Sequence, residues 1–244
     1  MFLLRLSEKR KKGLVSKMLQ DVFIRAAMVI LGYAFGLFQT AYIYGKMKGI
    51  DIREHGSGNA GTTNTLRVLG KKAGLVVFAG DVLKTVIAIG IAKIVFHTLY
   101  PEAYKGMRML IVLYTSAGTI LGHNYPFYLH FHGGKGIAST AGWLLSSNWQ
   151  FLLIGSIAFF LPFGLTHYVS LGSVILYPVM LASFLICGQN GWCGLDCMTQ
   201  SQLVELYIVT GLLMCLTIYK HRANIKRLWK KEESETHLFQ KSNK

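Results

Sequence analysis

The chain has 244 residues, 52% of them hydrophobic, and its mean hydropathy of +0.40 excludes a disordered chain and is high for a soluble domain. Its formal net charge is +15, and the basic residues cluster at the two ends and between apolar runs. A nucleic-acid-binding protein would need a basic face on a soluble fold, and these runs leave little soluble fold to carry one. The charge pattern instead indicates membrane orientation and anionic substrates.

Residues 1–21 form a basic extension that precedes the first long apolar run. This arrangement resembles a signal peptide, but no small-residue cleavage site follows, and the run is long enough to span a bilayer. A later start at Met18 would remove the whole basic segment. We favour that interpretation over an interfacial helix or an inverted topology.

Seven apolar runs follow, and they predict an all-α polytopic membrane protein with about seven transmembrane helices. Two of the runs are shorter than the ~20 residues of a full span, so we expect tilted, broken or partly re-entrant helices there. These short runs cover residues 137–145 and 151–165, and the others cover about 22–45, 75–96, 109–121, 168–187 and 203–219.

The polar segment between the first two runs carries a glycine-rich motif. Glycine lets the backbone approach an anion closely, and successive N–H groups can then point at it. Asn64 and Arg67 are three residues apart and would share one face of a helix. We interpret the motif as a phosphate cradle. It matches neither the dinucleotide-binding nor the P-loop pattern, so a glycine-rich turn that binds nothing is the alternative. The candidate residues are Gly56, Ser57, Gly58, Asn59, Thr63, Asn64 and Arg67.

The second apolar run contains Asp81 and Lys84 on one helical face. A charge inside a membrane span is costly and usually faces the bundle interior with a partner. We therefore predict a structural ion pair, which these two residues form with each other or which either of them forms with Arg67.

A second glycine-rich loop follows the third run and carries a single lysine. Two such loops suggest two phosphates, or one phosphate held from two sides. When both short runs are counted as spans, the two loops, residues 168–173 and residues 221–224 lie on the same side. Lys and Arg are abundant there, which predicts that this side faces the cytoplasm. The candidate residues of the second loop are His123, Asn124, Gly133, Gly134, Lys135 and Gly136.

Four cysteines lie in the C-terminal quarter of the chain, at Cys187, Cys193, Cys197 and Cys215. Their spacing matches no zinc signature and no histidine pair accompanies it, so we expect no metal site. A disulfide would be possible if the loop at residues 188–202 faced an oxidising compartment, but we favour incidental thiols.

The three separated motifs together resemble those of the bacterial acyl-phosphate–glycerol-3-phosphate acyltransferases of the PlsY type. Residues 56–72 are similar to the first motif of that family, residues 122–136 to the second and residues 221–225 to the third. The resemblance covers residues 22–229, which we expect to form a single transmembrane acyltransferase domain, with a polar tail at residues 230–244. It implies a multi-pass protein of the bacterial cell membrane with seven transmembrane helices, an active site facing the cytoplasm and no cofactor.

The resemblance also implies the reaction. An acyl group would pass from acyl phosphate to the 1-hydroxyl of glycerol 3-phosphate, giving lysophosphatidic acid and phosphate in the first step of phospholipid synthesis. Six residues fall on the functional positions of the family: Ser57, Arg67, Lys135, Ser173, His221 and Asn224. Of these, Ser173 is assigned to substrate binding and the other five to catalysis.

An acyl phosphate is a mixed anhydride with an activated carbonyl, so the enzyme needs orientation and charge stabilisation more than a nucleophile of its own. We expect Ser57 to bind the donor, and Arg67 and Lys135 to neutralise the departing phosphate. His221 and Asn224 would position glycerol 3-phosphate. The proton of the attacking hydroxyl would pass either to the leaving phosphate, whose second pKa is near ~6, or to His221.

Two histidines have other possible roles. For His123 we favour a structural hydrogen bond that holds the turn at Pro126, and His221 could cap the last helix or meet lipid headgroups. No histidine has an aspartate five residues on, the spacing of acyltransferases with soluble donors, and this favours an acyl-phosphate donor. Membrane lipids are expected neighbours, nucleic acid is not an expected partner, and the oligomeric state stays open.

The main alternative function is a transporter or channel for phosphate-bearing solutes, because broken helices and basic sites occur there too. Such a protein should show an internal repeat between its halves. The two glycine-rich loops differ in residue order and in their flanks, and we find no repeat. A structural membrane protein with lipid-binding loops is a third possibility, against which Arg67 and Lys135 among glycines argue.

Overall fold

The computed structural model describes the backbone of residues 2–236 and the side chains of residues 18–236. Met1 and residues 237–244, which belong to the predicted N-terminal extension and C-terminal tail, lie outside the described residues. Residues 2–236 contain ten α-helices, two short 3-10 turns and no β-strand. The helices are α1 (Phe2–Gly36), α2 (Thr40–Met47), α3 (Thr62–Leu69), α4 (Lys71–Leu99), α5 (Pro101–Asn124), α6 (Ile137–Ser146), α7 (Trp149–Thr166), α8 (Val169–Asn190), α9 (Gln200–Lys220) and α10 (Arg222–Trp229), and the 3-10 turns occupy Ile52–Glu54 and Phe127–Leu129.

The predicted apolar runs are helical, although the first is divided between α1 and α2 by a break at residues 37–39, and the all-α membrane architecture is confirmed. Within the described residues, five segments are long and apolar enough to cross a membrane, judged by length and composition. α6 is apolar but has only 10 residues, as its short run predicted, whereas α7 has 18 residues and qualifies as a span. The five segments are Met18–Met47, Lys71–Leu99, Trp149–Thr166, Val169–Asn190 and Gln200–Lys220.

The predicted polar link between the second and third runs is helical instead. α4 continues to Leu99 and α5 begins at Pro101, so one residue separates them. Proline is tolerated at the first position of a helix because its missing N–H would have no intrahelical partner there. As a result α5 extends further towards the N-terminus than the apolar pattern indicated.

Small residues let α1 and α5 pack with their backbones in contact. Gly32 and Gly36 of α1 face Gly118 and Gly122 of α5, each pair four residues apart. A Cβ on Gly36 would lie 2.9 Å from the Cα of Gly122, and a Cβ on Gly118 would lie 2.9 Å from the backbone nitrogen of Tyr33. Because lipid tails are as apolar as side chains, close contact of this kind drives association of helices in a membrane.

Aromatic residues fill the space between α6, α7 and α8. Trp143, Phe151, Tyr177 and Phe184 are all buried, and the rings of Phe151 and Phe184 have centroids 4.6 Å apart. Tyr177 also exchanges a hydrogen bond of 2.7 Å with the hydroxyl of Thr140. These helices therefore form a fixed wall beside the second glycine-rich loop, which leads directly into α6.

One charge cluster lies inside the bundle. Arg25 of α1 donates to Glu205 of α9, with 2.8 Å between Nη2 and Oε2, and Tyr114 of α5 donates to the same carboxylate at 2.5 Å. Charged groups within apolar helices are costly unless they are paired. The cluster therefore ties α1, α5 and α9 together.

Connections at the two ends of the bundle have different character. At one end the link after α6 meets the segment that joins α8 to α9, and Arg108 donates to Asn148 there. Cys187 and Cys193 lie at this end as free thiols with their sulfur atoms 2.9 Å apart. At the other end the two glycine-rich loops, the start of α8 and the region after α9 surround one cavity.

Candidate active site

A cavity of about 510 Å³ lies where these loops meet. It unites most of the residues that the three sequence motifs nominated, so the prediction that the motifs share one face is confirmed in its geometry. Those that line the cavity are Gly56, Ser57, Asn59, Thr63, Asn64, Arg67, His123, Lys135, Gly136, Ser173, His221 and Asn224. Four nominated residues do not line it: Gly58, Asn124, Gly133 and Gly134.

The first glycine-rich loop is organised by Asn64. This residue is 1% exposed, and its Oδ1 accepts the backbone N–H of Ser57 at 2.8 Å. Its Nδ2 donates to the carbonyls of Ile52 at 3.0 Å and His55 at 2.9 Å. The amide of Asn64 is therefore engaged by the loop's own backbone, so it shapes the cradle rather than offering free groups to a ligand.

Two glycines and the start of α3 set the direction of this loop. Gly56 and Gly58 have φ angles of +61° and +72°, a region that only glycine adopts without strain. α3 then begins at Thr62 and carries Arg67 in its last turn, exposed at the cavity. The loop thus delivers Ser57 and Arg67 to the same opening.

An ion pair fixes the base of the first loop. Asp51 caps the 3-10 turn by accepting the N–H of Arg53, and 2.7 Å separates its Oδ2 from the Arg53 guanidinium. This hydrogen bond to Arg53 lowers the pKa of Asp51 to about 2. The carboxylate is therefore charged at any working pH and keeps the turn closed.

The second glycine-rich loop folds back on the end of α5 through its backbone. The N–H groups of Gly133 and Gly134 donate to the carbonyls of Asn124 at 3.3 Å and His123 at 3.1 Å. A Cβ on Gly134 would lie 2.9 Å from the carbonyl oxygen of Ala60, which belongs to the first loop. The two glycines outside the cavity thus serve the close packing of both loops.

Lys135 points from this loop towards the third motif, where its Nζ donates to Oδ1 of Asn224. Burial lowers the pKa of the half-buried Lys135 ammonium to about 8. At neutral pH the side chain is still charged, yet it is poorly solvated. A poorly solvated cation interacts strongly with an anion that enters the cavity.

His221 occupies the junction of α9 and α10 and is 3% exposed. Its Nδ1 lies 2.9 Å from the carbonyl oxygen of Thr217, and a carbonyl can only accept, so we assign the proton to Nδ1. Burial, together with the charge of Lys135, lowers the pKa of His221 to about 4. The ring is therefore neutral at pH 7, and its Nε2 is left as an acceptor.

Glu233 completes the third motif from a segment that the sequence assigned to a polar tail. Its carboxylate accepts from Asn224 at 2.6 Å, Ser170 at 2.8 Å and Arg227 at 2.7 Å. Burial opposes the charge of Glu233, but these hydrogen bonds outweigh burial and lower its pKa. No sequence signal nominated Glu233, because a glutamate among lysines past the last apolar run looks like a solvated surface residue.

The floor of the cavity holds the predicted ion pair. The Lys84 ammonium lies 2.8 Å from Oδ1 of Asp81, and both side chains are buried. Lys84 also donates to the carbonyl of Phe38 at 2.8 Å and to Nδ1 of His123 at 2.9 Å, while Thr40 donates to Asp81 at 3.0 Å. This network joins α4 to the end of α1, to α2 and to α5. The prediction of a structural pair is confirmed.

Two details differ from expectation. Arg67 does not take part in the pair, because it lies at the cavity mouth and no ion pair among the described side chains includes it. The ring of His123 bonds to Lys84 rather than to the turn at Pro126, and it is the backbone carbonyl of His123 that holds the loop.

The lining of the cavity is chemically divided. Arg67 and Lys135 bring positive charge, and in the part of the chain that the structure describes neither forms an ion pair with a carboxylate. Phe78 of α4 and Phe159 of α7 form an apolar wall of the cavity, and Phe78 is 39% exposed. Such a site suits a ligand that joins a phosphate to an apolar chain.

Fold and cavity together define a class: a polytopic membrane protein with a cavity at one end of its helix bundle that is lined by basic side chains and by apolar ones. The glycerol-3-phosphate acyltransferase family matches residues 26–231. The chain belongs to this family.

Individual relatives agree with the family match. The glycerol-3-phosphate acyltransferase of Clostridioides difficile (strain 630) is 38% identical over 213 residues, which cover 85% of this chain and 93% of the relative. That of Bacillus subtilis (strain 168) is 37% identical over 211 residues, covering 85% and 95%.

Solved structures agree as well. The crystal structure of PlsY (YgiH), an integral membrane glycerol 3-phosphate acyltransferase in its glycerol 3-phosphate form, superposes with a TM-score of 0.71 at 30% identity, covering 88% of this chain and 99% of that one. The lysophosphatidic acid form of PlsY gives a TM-score of 0.67 at 28% identity. The chain is therefore a multi-pass membrane acyltransferase, and the transporter alternative is excluded.

Proposed function

We propose that the protein transfers an acyl group from acyl phosphate to the 1-hydroxyl of glycerol 3-phosphate, releasing lysophosphatidic acid and phosphate. One observation carries this proposal: a single cavity combines unneutralised Arg67 and Lys135 with an apolar wall at Phe78 and Phe159. The relatives are named for glycerol 3-phosphate, and the solved structures contain it or lysophosphatidic acid. Both reactants would then carry a phosphate into the same cavity.

An acyl-phosphate donor fits the division of the cavity. In such a molecule the phosphate is bonded directly to the acyl carbon, so a cationic patch and an apolar wall side by side can hold it. Ser57 and the amides of the first glycine-rich loop would bind the donor near its carbonyl, and Arg67 and Lys135 would stabilise the charge that develops on the departing phosphate.

Acceptor binding is assigned to the third motif. His221 is neutral and presents Nε2, and Asn224 is held between Lys135 and Glu233, so both side chains are fixed before substrate arrives. Ser173 is fully buried beside them, with its hydroxyl donating to the carbonyl of Val169 at 2.8 Å. Prior fixing of this kind lowers the entropic cost of orienting the reacting hydroxyl.

The chemical step needs a base for the proton of the 1-hydroxyl. As the oxygen attacks the acyl carbon, the bond to phosphate breaks and the proton leaves the hydroxyl. The departing phosphate, with a second pKa near ~6, can accept it. Nε2 of His221 is the second candidate, and its low pKa makes it the weaker base.

We propose that the cavity faces the cytoplasm of a bacterial cell. The segments that connect the apolar runs at the cavity end, together with the region after α9, carry many basic residues, whereas the connecting segments at the opposite end carry few. Those at the cavity end include Lys46, Lys48, Arg53, Arg67, Lys71, Lys72, Lys220, Arg222, Lys226, Arg227, Lys230 and Lys231, and those at the other end include Lys105 and Arg108. Labelling of single-cysteine variants from outside intact cells tests this: position 72 should be protected and position 105 labelled.

The reaction itself is tested with purified protein in detergent, palmitoyl phosphate and glycerol 3-phosphate. We expect lysophosphatidic acid from the wild type, none above background from Lys135→Ala, and wild-type activity from Lys105→Ala, which removes an equal charge at the opposite end. Product formed only from palmitoyl-CoA would overturn the donor assignment. Uptake of phosphorylated solutes without product would overturn the reaction.

A further inference from the structure

Asp81 has one carboxylate oxygen that accepts no hydrogen bond from the residues that the structure describes. The residue is 1% exposed and lines the cavity. Oδ1 accepts from Lys84 at 2.8 Å and from Thr40 at 3.0 Å. Oδ2 is buried, and none of the described residues donates a hydrogen bond to it.

An unpartnered carboxylate oxygen at the floor of a cavity calls for a donor. A buried polar atom without a partner costs free energy, and the cost is greater for a charged group. The described residues that contact Asp81 donate to Oδ1 alone, and Asp81 lines the cavity, so a ligand in the cavity can supply the missing donor. Arg67 and Lys135, at the same cavity, attract an anionic group. A ligand that fits both features has a phosphate and, elsewhere on the molecule, a hydroxyl.

We propose that Asp81 is a specificity-determining residue whose Oδ2 accepts a hydrogen bond from the 2-hydroxyl of glycerol 3-phosphate. This inference rests on the function proposed above, because it takes glycerol 3-phosphate as the acceptor. The 2-hydroxyl does not react. An enzyme that recognises this hydroxyl would reject phosphorylated alcohols that lack it. Discrimination of this type is strong when the missing hydroxyl leaves a buried polar group of the protein unpaired.

The 2-hydroxyl is a better partner for Asp81 than the reacting 1-hydroxyl. The 1-hydroxyl has to lose its proton to a base. The charge of Asp81 is offset by Lys84 at 2.8 Å, and its Oδ1 accepts from two donors, which hold the carboxylate in place. A carboxylate oxygen held in this way is suited to bind a hydroxyl that keeps its proton throughout the reaction.

The test combines a substitution in the enzyme with a change of substrate. Wild type and Asp81→Asn are each assayed with palmitoyl phosphate and either glycerol 3-phosphate or propane-1,3-diol monophosphate, which keeps the reacting hydroxyl and the phosphate but lacks the 2-hydroxyl. For the wild type we expect kcat/KM to be about 10- to 100-fold lower with the analogue. For Asp81→Asn the ratio should shrink to about 3-fold, because a neutral hydrogen bond replaces a charge-assisted one.

Controls separate this role from a structural one. Thr40→Val removes a hydrogen bond to Oδ1 and leaves Oδ2 in place, so it should keep the wild-type ratio even if its activity falls. If Asp81→Asn does not fold, the double variant Asp81→Leu, Lys84→Met removes the ion pair without leaving an unpaired charge, and its ratio should approach 1.

The outcomes are distinct. A ratio in Asp81→Asn equal to that of the wild type overturns the inference and assigns Asp81 a structural role only. A wild type that uses both acceptors equally overturns it as well. If the wild type makes no lysophosphatidic acid from glycerol 3-phosphate and acyl phosphate, it is the proposed function that fails.

Discussion

The two glycine-rich loops reach the same cavity but are held in place by different means. In the first loop one side chain, Asn64, makes three hydrogen bonds to the backbone and so sets the loop's shape. In the second loop the backbone bonds to the end of α5, and the absence of side chains at Gly133 and Gly134 permits the contact. Gly58 of the first loop therefore serves its backbone conformation, whereas Gly134 of the second loop serves close packing.

The loops also differ in how they present charge. Arg67 of the first loop is exposed at the opening, where water and salt weaken its field, whereas Lys135 of the second loop is half-buried and bonded to Asn224. A buried cation should therefore contribute more to catalysis than an exposed one. The predictions below test these differences between the loops.

The largest effect is expected from the two cations. Lys135→Met should lower kcat/KM by about 1,000-fold and Arg67→Met by about 100-fold, because a charge held in a dry site stabilises a transition state more strongly. Initial rates of lysophosphatidic acid formation provide the measurement. Lys72→Met, an exposed charge outside the cavity, is the control and should stay within about 2-fold of the wild type. A greater loss for Arg67→Met would contradict the comparison.

Asn64 and Asn124 allow the next test, because one buried amide is fully used and the other is not. Asn64→Leu leaves two carbonyls and an N–H unpaired, and we expect kcat/KM to fall about 100-fold with a lower Tm. Both polar atoms of the Asn124 side chain lack a partner among the described residues, so Asn124→Leu should cost about 3-fold or less. Equal losses for the two variants would show that the first loop does not depend on Asn64.

Replacing glycine with alanine should distinguish a glycine needed for close packing from one needed for its backbone conformation. In Gly134→Ala the new Cβ would overlap Nε2 of His123 and lie 2.9 Å from the carbonyl oxygen of Ala60, so it would displace the His123 ring and push the two loops apart. We expect about a 30-fold loss of kcat/KM, from strain of about 2 kcal/mol. In Gly58→Ala the Cβ lies 3.2 Å from the Arg53 carbonyl at a φ of +72°, and a strain of about 1 kcal/mol should lower the Tm with about a 3-fold loss of activity. The reverse order of losses would refute the distinction.

The smallest effect within the accessible pH range concerns Lys135. Burial places its pKa at about 8, so the side chain is charged below that value and loses its proton above it. We expect kcat/KM for glycerol 3-phosphate to be level near pH 7 and to fall up to about tenfold per pH unit above 8. His221, with a pKa of about 4, does not titrate in this range. In Lys135→Arg the side chain should stay charged above pH 8, so the decline in kcat/KM should disappear whatever the absolute rate of the variant. An unchanged decline would exclude Lys135 as the group that causes it.

Many residues of the site could be predicted from the sequence because they are charged residues among glycines or inside apolar runs. Lys135 among glycines, Arg67 after a glycine-rich turn and Asp81 three residues from Lys84 in an apolar run all conflict with a plain membrane helix, and such conflicts mark functional or paired residues. The separate role of each site residue could not be predicted from the sequence. Asn64 and Ser57 looked alike as ligand-binding candidates, and only the hydrogen bonds show that Asn64 is used by the loop itself.

The helical membrane architecture, the short α6 and the meeting of three polar motifs at one end can all be predicted from the sequence, since apolar length and the alternation of crossings leave few other arrangements. The hydrogen-bond partner of each polar atom is set by the tertiary structure. Glu233 reaches the third motif, and Oδ2 of Asp81 has no donor among the described residues, because hydrogen bonds between distant segments depend on how helices pack, and no local pattern encodes that packing.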